Sequence, residues 1–106
     1  MTSYDATLVP QPIHALELAN RVRTYRADLK RRIGTGEVEA AEVVLICPRE
    51  AAGMTIAELL LAQRSWGGVR CRRFLRPLSL REDKTVGSMT ERQRRSVAVL
   101  LSMKST

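Results

Sequence analysis

The chain has 106 residues, 18 of them lysine or arginine and 11 of them aspartate or glutamate, so its formal net charge is +7. This length predicts one small domain, and a hydrophobic share of 44% excludes wholesale disorder. Aromatic residues make up only 4%, which predicts an aliphatic core and argues against recognition of unpaired bases by stacking. The excess positive charge favours a polyanionic partner, nucleic acid before an anionic membrane.

Neither a metal site nor an enzyme active site is indicated. The two cysteines, Cys47 and Cys71, stand far apart and His14 is the single histidine, whereas a structural zinc site takes about four such ligands. No nucleophile is paired with a base, so no catalytic residue, metal or cofactor is expected. The N-terminus lacks the features of a secretory signal and no apolar run reaches the length of a membrane span, which predicts a cytoplasmic protein with no membrane partner.

The first third of the chain predicts a tail and then a long helix. Residues 1–12 contain two prolines and predict an irregular, flexible tail. Residues 13–33 predict the longest helix, because apolar side chains recur at spacings of three and four. This apolar stripe consists of Leu18, Val22, Tyr25, Leu29 and Ile33. A basic stripe beside it consists of Arg23, Arg26 and Lys30. The basic stripe is either a secondary phosphate-binding surface or a solvated helix face.

Two shorter helices are predicted next. Residues 37–46 predict a helix that Thr35 or Gly36 caps. Its apolar face consists of Val38, Ala41, Val44 and Leu45. The following helix has the clearest start in the chain, because Thr55 and Glu58 match a capping box. It forms the first arm of a predicted helical hairpin.

The segment over residues 64–76 holds five arginines and no acid. Gly67 and Gly68 lie at its centre, and the second arm of the hairpin is predicted over residues 69–76, ending before Pro77. Glycine permits a positive φ and a close approach of the backbone to a ligand, and the first N–H groups of the second arm would face an anion. A plain turn with a solvated charge run is the alternative, but a cluster of one sign favours phosphate binding.

The last third of the chain predicts a polar loop and a final helix. The loop covers residues 79–88 and includes Lys84, and Thr90 with Gln93 matches a second capping box. The helix then runs to about residue 101. Its inner side consists of Val97, Leu100 and Leu101. Its first turns contain Arg92, Arg94 and Arg95. Cations there oppose the helix dipole, which favours an anion such as a DNA phosphate at this end.

Four ordered motifs resemble those of one protein family. They are Arg-x-Asp-Leu-Lys-x-Arg at residues 26–32, Met-Thr-Ile-Ala-Glu-Leu-Leu at 54–60, Gly-Gly-Val-Arg-Cys at 67–71 and Gly-Ser-Met-Thr-Glu-Arg-Gln-Arg at 87–94. Over residues 20–102 the chain is thus similar to the actinobacterial type of integration host factor. It departs from the family at Arg64, where proline is usual, and in the run before the last helix, where only Lys84 keeps the family's charge. The hairpin is therefore expected to carry more of the binding.

The resemblance implies an all-α, helix-two-turn-helix fold like that of a small-subunit ribosomal protein, with a helix-hairpin-helix inside it. It implies a nucleoid-associated protein that binds duplex DNA with low sequence preference, bends, bridges or compacts it, and assists phage or element integration. We therefore predict a single domain of about five helices over residues 13–102, followed by a short tail at 103–106. A monomer in the nucleoid is expected, with double-stranded DNA and recombination proteins as its partners.

The predicted DNA-binding residues come from the hairpin and the last helix. They are Arg64, Gly67, Gly68, Val69, Arg70, Arg72, Arg73, Lys84, Arg92, Arg94 and Arg95. A secondary set on the long helix consists of Arg23, Arg26 and Lys30. Two alternatives stay open: a structured RNA as the ligand, and a regulatory protein that docks a recombination or transcription partner. Trp66 bears on the second, because an exposed tryptophan marks an interface whereas a buried one fills the core.

Overall fold

A computed structural model describes the backbone of residues 10–104 and the side chains of residues 13–103. Five α-helices occupy this part of the chain: α1 (Pro10–Thr35), α2 (Ala40–Ile46), α3 (Ile56–Ala62), α4 (Gly68–Leu75) and α5 (Glu91–Lys104). Three short 3₁₀ helices lie in the connections: Arg49–Ala51, Arg76–Leu78 and Val86–Ser88. The all-α class predicted from the sequence is confirmed. None of the helices described is long and apolar enough to cross a membrane.

α1 is the longest helix, as predicted, but it starts earlier and is buried over a shorter stretch. It begins at Pro10, inside the predicted tail, whose residues 1–9 lie outside the described part of the chain. Proline is tolerated there because the first turn of a helix has no partner for its N–H groups in any case. Leu29 and Ile33 are buried as predicted, whereas Leu18 is 56% exposed. α1 therefore packs on the domain through its second half.

α2 begins three residues later than the sequence pattern predicted. Thr35 is the last residue of α1, and the Glu37 amide donates a hydrogen bond to the Arg32 carbonyl at 3.0 Å. This turn occupies the positions that were expected to open the next helix, so α2 starts at Ala40. The prediction that Thr35 or Gly36 caps α2 is therefore wrong.

The core is aliphatic, as the composition predicted. Its largest fully buried side chains are Met54, Ile56, Leu59, Leu60, Leu75, Val44, Val86, Val97 and Cys71. α2 packs against α5, and its buried face consists of Ala40, Ala41, Val43 and Val44. Leu45 was predicted on this face but is exposed, because each residue of a helix is turned by about 100° from the last.

The segment before α5 is joined to the start of α3 by backbone hydrogen bonds. The Ile56 amide donates to the Lys84 carbonyl at 2.8 Å, and the Val86 amide donates to the Met54 carbonyl at 2.9 Å. At the next residue, the Gly87 amide donates to the carbonyl of Ala52 at 2.8 Å. The starts of α3 and α5 are thereby held side by side.

Both predicted capping boxes are present. At α3, the Thr55 amide donates to Glu58 Oε1 and the Glu58 amide donates to Thr55 Oγ1, each at 3.1 Å. At α5, the Thr90 amide donates to Gln93 Oε1 at 2.9 Å, and the Gln93 amide donates to Thr90 Oγ1 at 3.1 Å. Each box satisfies N–H groups that have no partner within the helix, so it fixes the residue at which the helix begins.

Candidate nucleic-acid interface

The turn between α3 and α4 reverses the chain at Ser65 and not at the glycines. Ser65 has a φ of 70°, in the left-handed region, and the Trp66 amide donates to the Gln63 carbonyl at 3.2 Å. Gly67 is extended, with φ −110° and ψ −179°, and Gly68 is the first residue of α4. The prediction that these glycines supply a positive φ is therefore wrong, and no feature of the sequence singled out Ser65.

The two glycines instead leave the surface of the turn open. A Cβ at Gly67 would meet no atom within 4 Å, and one at Gly68 would meet the end of the flexible Arg72 side chain at 3.4 Å. Both glycines are exposed. Neither the backbone conformation nor internal packing requires glycine here. Glycine is a favoured N-cap residue, which suits Gly67, and at these exposed positions it also lets another molecule come close to the backbone.

The N-terminus of α4 presents backbone N–H groups that no side chain caps. The first helical hydrogen bond runs from the Cys71 amide to the Gly67 carbonyl, at 3.0 Å. The amides of Gly68, Val69 and Arg70 therefore precede the helical hydrogen bonds. Gly67 occupies the capping position and makes no side-chain hydrogen bond to them. Such amides, at the positive end of the helix dipole, suit an anion.

Five arginines lie on this turn and along α4, and we call them the arginine cluster. The cluster consists of Arg64, Arg70, Arg72, Arg73 and Arg76. All five are exposed, and none lies within 4.0 Å of a carboxylate in the described part of the chain. Arg76 was not among the predicted DNA-binding residues, although the run of one-sign charge already included it. Among the described residues, no ion pair within 4.0 Å neutralises the cluster, although Glu39 lines a depression beside Arg64 and Arg70, and Glu82 and Asp83 line one beside Arg72 and Arg76.

Trp66, in the turn before α4, and Val69, in the first turn of α4, lie differently with respect to the core. The half-buried Trp66 ring meets Phe74 edge-on, with centroids 5.3 Å apart and planes at 72°. The guanidinium carbon of Arg70 lies 4.3 Å from the centre of the Trp66 ring. Val69, one of the predicted DNA-binding residues, is 61% exposed. Trp66 thus packs on the core and also forms part of the surface.

The uncapped helix end and the arginine cluster stand on a fold that has been seen before. The structure of sIHF bound to an 8bp palindromic DNA matches this chain with a TM-score of 0.69 and 24% sequence identity. The chain shares its fold with sIHF. The match covers 76% of this chain and 93% of that chain. No protein-family model matches the sequence, and no curated protein matches it either.

The basic stripe of α1, the predicted secondary site, is engaged within this sIHF-like domain. Arg26 Nε donates to the Glu50 carbonyl at 3.2 Å, and Lys30 Nζ lies 3.6 Å from Glu58 Oε2. Arg23 donates a hydrogen bond to a neighbouring residue of the same helix. Arg26 and Lys30 therefore join α1 to the rest of the domain, which leaves the stripe less free to bind an anion than the arginine cluster.

Acids balance the arginines at the C-terminal end of α1. Asp28 lies 2.9 Å from Arg31 Nη2 and 3.3 Å from Arg32 Nε. The hydrogen bond from Arg31 holds the pKa of Asp28 below its usual value. Glu37 lies 3.7 Å from Arg31. These exposed pairs contrast with the arginine cluster, where none of the described residues forms an ion pair within 4.0 Å.

The predicted second basic surface, at the start of α5, is only partly free. Arg94 Nη1 donates to the Met89 carbonyl at 2.8 Å, so Arg94 closes the turn before the helix. Arg95 pairs with an acid one turn earlier, at 3.3 Å. Arg92 is exposed and has no carboxylate within 4.0 Å among the described residues, whereas Lys84 is half-buried. Arg92 is therefore the cation of this surface that is most available to bind an anion.

Proposed function

We propose that the protein is a non-enzymatic architectural protein that binds double-stranded DNA, of the kind represented by the actinobacterial integration host factors. The observation that carries the proposal is the uncapped N-terminus of α4 inside a cluster of arginines, none of which forms an ion pair within 4.0 Å among the described residues. The fold, shared with a protein solved in complex with DNA, adds support. A phosphate at this position gains hydrogen bonds from the helix amides and charge from the surrounding guanidinium groups.

In this proposal, the backbone of the turn and the arginines have different roles. The amides at the start of α4 bind one phosphate, and the open surface at Gly67 and Gly68 lets the DNA backbone come close. The arginine cluster holds the neighbouring phosphates or enters the minor groove. Phosphate contacts position a protein on DNA but carry no sequence information. Binding should therefore depend weakly on sequence and more on the shape of the duplex.

Bending, bridging or compaction of DNA by a monomer needs a second contact surface. Arg92 supports such a surface, and Arg95 can add to it because an exposed ion pair is weak and readily exchanged. Arg94 and Lys84 are less available to bind DNA, because Arg94 donates to the Met89 carbonyl and Lys84 is half-buried. We therefore expect the second surface to bind more weakly than the arginine cluster. A protein with this function acts on the nucleoid in the cytoplasm, where recombination complexes are natural partners.

A salt titration tests the proposal directly. Affinity is measured for two unrelated DNA duplexes of equal length, with duplex RNA as a competitor. We expect equal affinities for the two duplexes that fall together with salt, with a log–log slope of about −4.5 if about five phosphates are neutralised. Duplex RNA should compete poorly if the ligand is DNA.

A matched pair of double variants locates the contact. Arg70→Ala with Arg73→Ala should make the slope shallower by about 1.8. Arg21→Ala with Arg49→Ala removes the same charge from exposed positions outside the cluster and should change the slope much less. Weak, salt-insensitive binding to both duplexes would contradict DNA binding. A large gap between the duplexes would replace the architectural role with a site-specific one.

A further inference from the structure

An apolar groove of about 480 Å³ lies between the 3₁₀ helix Arg76–Leu78 and the outer face of α5. Its apolar lining consists of Pro77, Leu78, Val99, Leu100 and Met103. Val99 is 60% exposed and Met103 is 71% exposed. The core does not use these two side chains, and neither does the phosphate site at the start of α4.

The outer face of α5 changes character along its length. Arg92, Arg95, Val99 and Met103 follow one another at spacings of three and four, so they lie on one side of the helix. The face is basic at its N-terminal end and apolar at its C-terminal end. A solvated helix face would be polar along its whole length, so the apolar end indicates a surface that a partner covers.

A second depression continues the groove toward the arginine cluster. It has a volume of about 760 Å³ and shares Pro77 and Leu100 with the groove. Arg70 and Arg73 line this depression, and Arg95 lines the groove. Among the described residues, no acid lines either one. The combined surface is therefore apolar along its floor and positive along its edges.

We infer that this surface docks an acidic amphipathic segment of a partner protein. The apolar side chains of the segment fill the groove between Leu78 and Val99, and its carboxylates pair with Arg73 and Arg95. Helical segments enter grooves in this way, with apolar anchors repeated along one face. Arginine suits the charged edge because its planar guanidinium binds a carboxylate with two hydrogen bonds.

The chemistry of the groove favours this occupant over DNA and over a second copy of the chain, whereas Arg70 and Arg73 beside it also belong to the proposed DNA contact. A phosphate in a groove walled by Leu78, Val99 and Met103 would lose its hydration without gaining hydrogen bonds, which is costly. A second copy also carries a net charge of +7. It would approach the arginine edges against electrostatic repulsion. An acidic amphipathic segment places apolar side chains on the apolar floor and carboxylates against the arginine edges.

Synthetic peptides test the docking site in the absence of nucleic acid, so the result is independent of the proposed DNA binding. The probe is a labelled helical peptide with leucines at i, i+3, i+4 and i+7 and glutamates on its other face. One control peptide has lysines in place of the glutamates, and another has the acidic sequence scrambled. Fluorescence anisotropy with the full chain should show that the acidic amphipathic peptide binds about tenfold or more tightly than either control.

Matched variants locate the site. Val99→Asp should weaken peptide binding about tenfold or more, since it places a charge of the wrong sign in the groove. Ile46→Asp is the control, because Ile46 is 67% exposed on α2 and lies outside the groove. Circular dichroism checks that both variants remain folded. Arg73→Ala with Arg95→Ala should weaken peptide binding and make it less sensitive to salt.

Several outcomes would overturn the inference. Equal binding of the scrambled acidic peptide would mean simple charge attraction without docking. Equal loss in Val99→Asp and Ile46→Asp would place the contact elsewhere. Self-association of the wild type that Val99→Asp abolishes, measured by sedimentation, would assign the groove to a second copy. Loss of DNA affinity in Val99→Asp, with peptide binding intact, would assign it to DNA.

Discussion

Arg70 lies over the indole ring of Trp66, with its guanidinium carbon 4.3 Å from the ring centre. The same ring packs edge-on against Phe74, which is buried in the core. Phe74 in the core therefore supports the Trp66 ring, and the ring in turn positions the Arg70 side chain at the start of α4. A long side chain that is already oriented loses less conformational freedom when it binds an anion. This geometry supports Arg70 as a preorganised member of the arginine cluster.

Arg70→Lys keeps the charge and removes the planar contact with Trp66. Because an unstacked side chain must be ordered on binding, at a cost of about 0.5–1.5 kcal/mol, we expect the DNA affinity to fall by roughly two- to tenfold. The slope of affinity against salt should stay unchanged, since the charge is conserved. Arg73→Lys is the control and should have a smaller effect, because Arg73 contacts no aromatic ring among the described residues. Equal losses in both variants would contradict a special role for the stacked pair.

Gly67→Ala separates binding from folding. Alanine adopts the extended conformation of Gly67 without strain and its Cβ meets no atom within 4 Å. The free energy of unfolding should therefore change by less than about 1 kcal/mol, the scale of a helix-capping substitution. If a phosphate lies against this backbone, the added Cβ would hold it away from the amides at the start of α4. DNA affinity should then fall by about tenfold or more, because a hydrogen bond to a charged group contributes about 1.5–3 kcal/mol. Unchanged affinity would remove the helix N-terminus from the proposed interface.

Gly87→Ala should lower the stability and leave the DNA affinity unchanged, which is the opposite of the result expected for Gly67→Ala. A Cβ at Gly87 would lie 2.8 Å from Ala52 Cβ and 3.0 Å from the Ala52 carbonyl oxygen, which already accepts the Gly87 amide. The chain cannot move away without losing that hydrogen bond, so we expect a loss of about 1–3 kcal/mol in the free energy of unfolding. Urea denaturation measures it. Adding Ala52→Gly should restore part of the loss, and the folded variant should bind DNA normally.

The features that the sequence predicted correctly are those that a few neighbouring residues decide. The two capping boxes depend on pairs three residues apart, Thr55 with Glu58 and Thr90 with Gln93, and both formed. The all-α class follows from helical periodicity, which is also local. The concentration of arginine around the turn is a property of the sequence itself and needed no structure to find.

The features that the sequence did not predict depend on contacts between distant segments. Ser65 takes the left-handed conformation in the turn that joins α3 and α4, and serine is not among the residues enriched in it. Lys30 has no evident partner in the sequence, but the packing of α1 on α3 places its Nζ 3.6 Å from Glu58 Oε2. The exposure of Val69 follows from which face of α4 the core takes, a choice that periodicity over eight residues leaves open. None of these relationships has a signature in a short stretch of sequence.

Thr55→Ala should destabilise the domain without altering its surface charge. The Thr55 hydroxyl accepts the Glu58 amide at 3.1 Å, and loss of such a cap costs about 1 kcal/mol. Thr55→Ser keeps the hydroxyl and should recover most of the stability. Thermal unfolding followed by circular dichroism measures both variants. An unchanged melting temperature in Thr55→Ala would show that the box contributes little to the start of α3.

The two thiols should differ sharply in reactivity. Cys71 is fully buried and Cys47 is half-buried, and burial raises the pKa of the Cys71 thiol. Because the thiolate is the reactive form, a thiol reagent should label Cys47 in the folded protein and reach Cys71 after unfolding.

The folded state also holds the Cys71 proton more tightly than the unfolded chain does. Its contribution to stability is therefore complete below the ordinary thiol pKa, about 8.5, and is lost as the pH rises through the raised value. Urea denaturation across this pH range should show the decline in wild type and in Cys47→Ala, and a weaker decline in Cys71→Ala. Rapid labelling of Cys71 at neutral pH would mean that the packing of α4 on the core opens readily, which would also undermine the rigid placement of the arginine cluster.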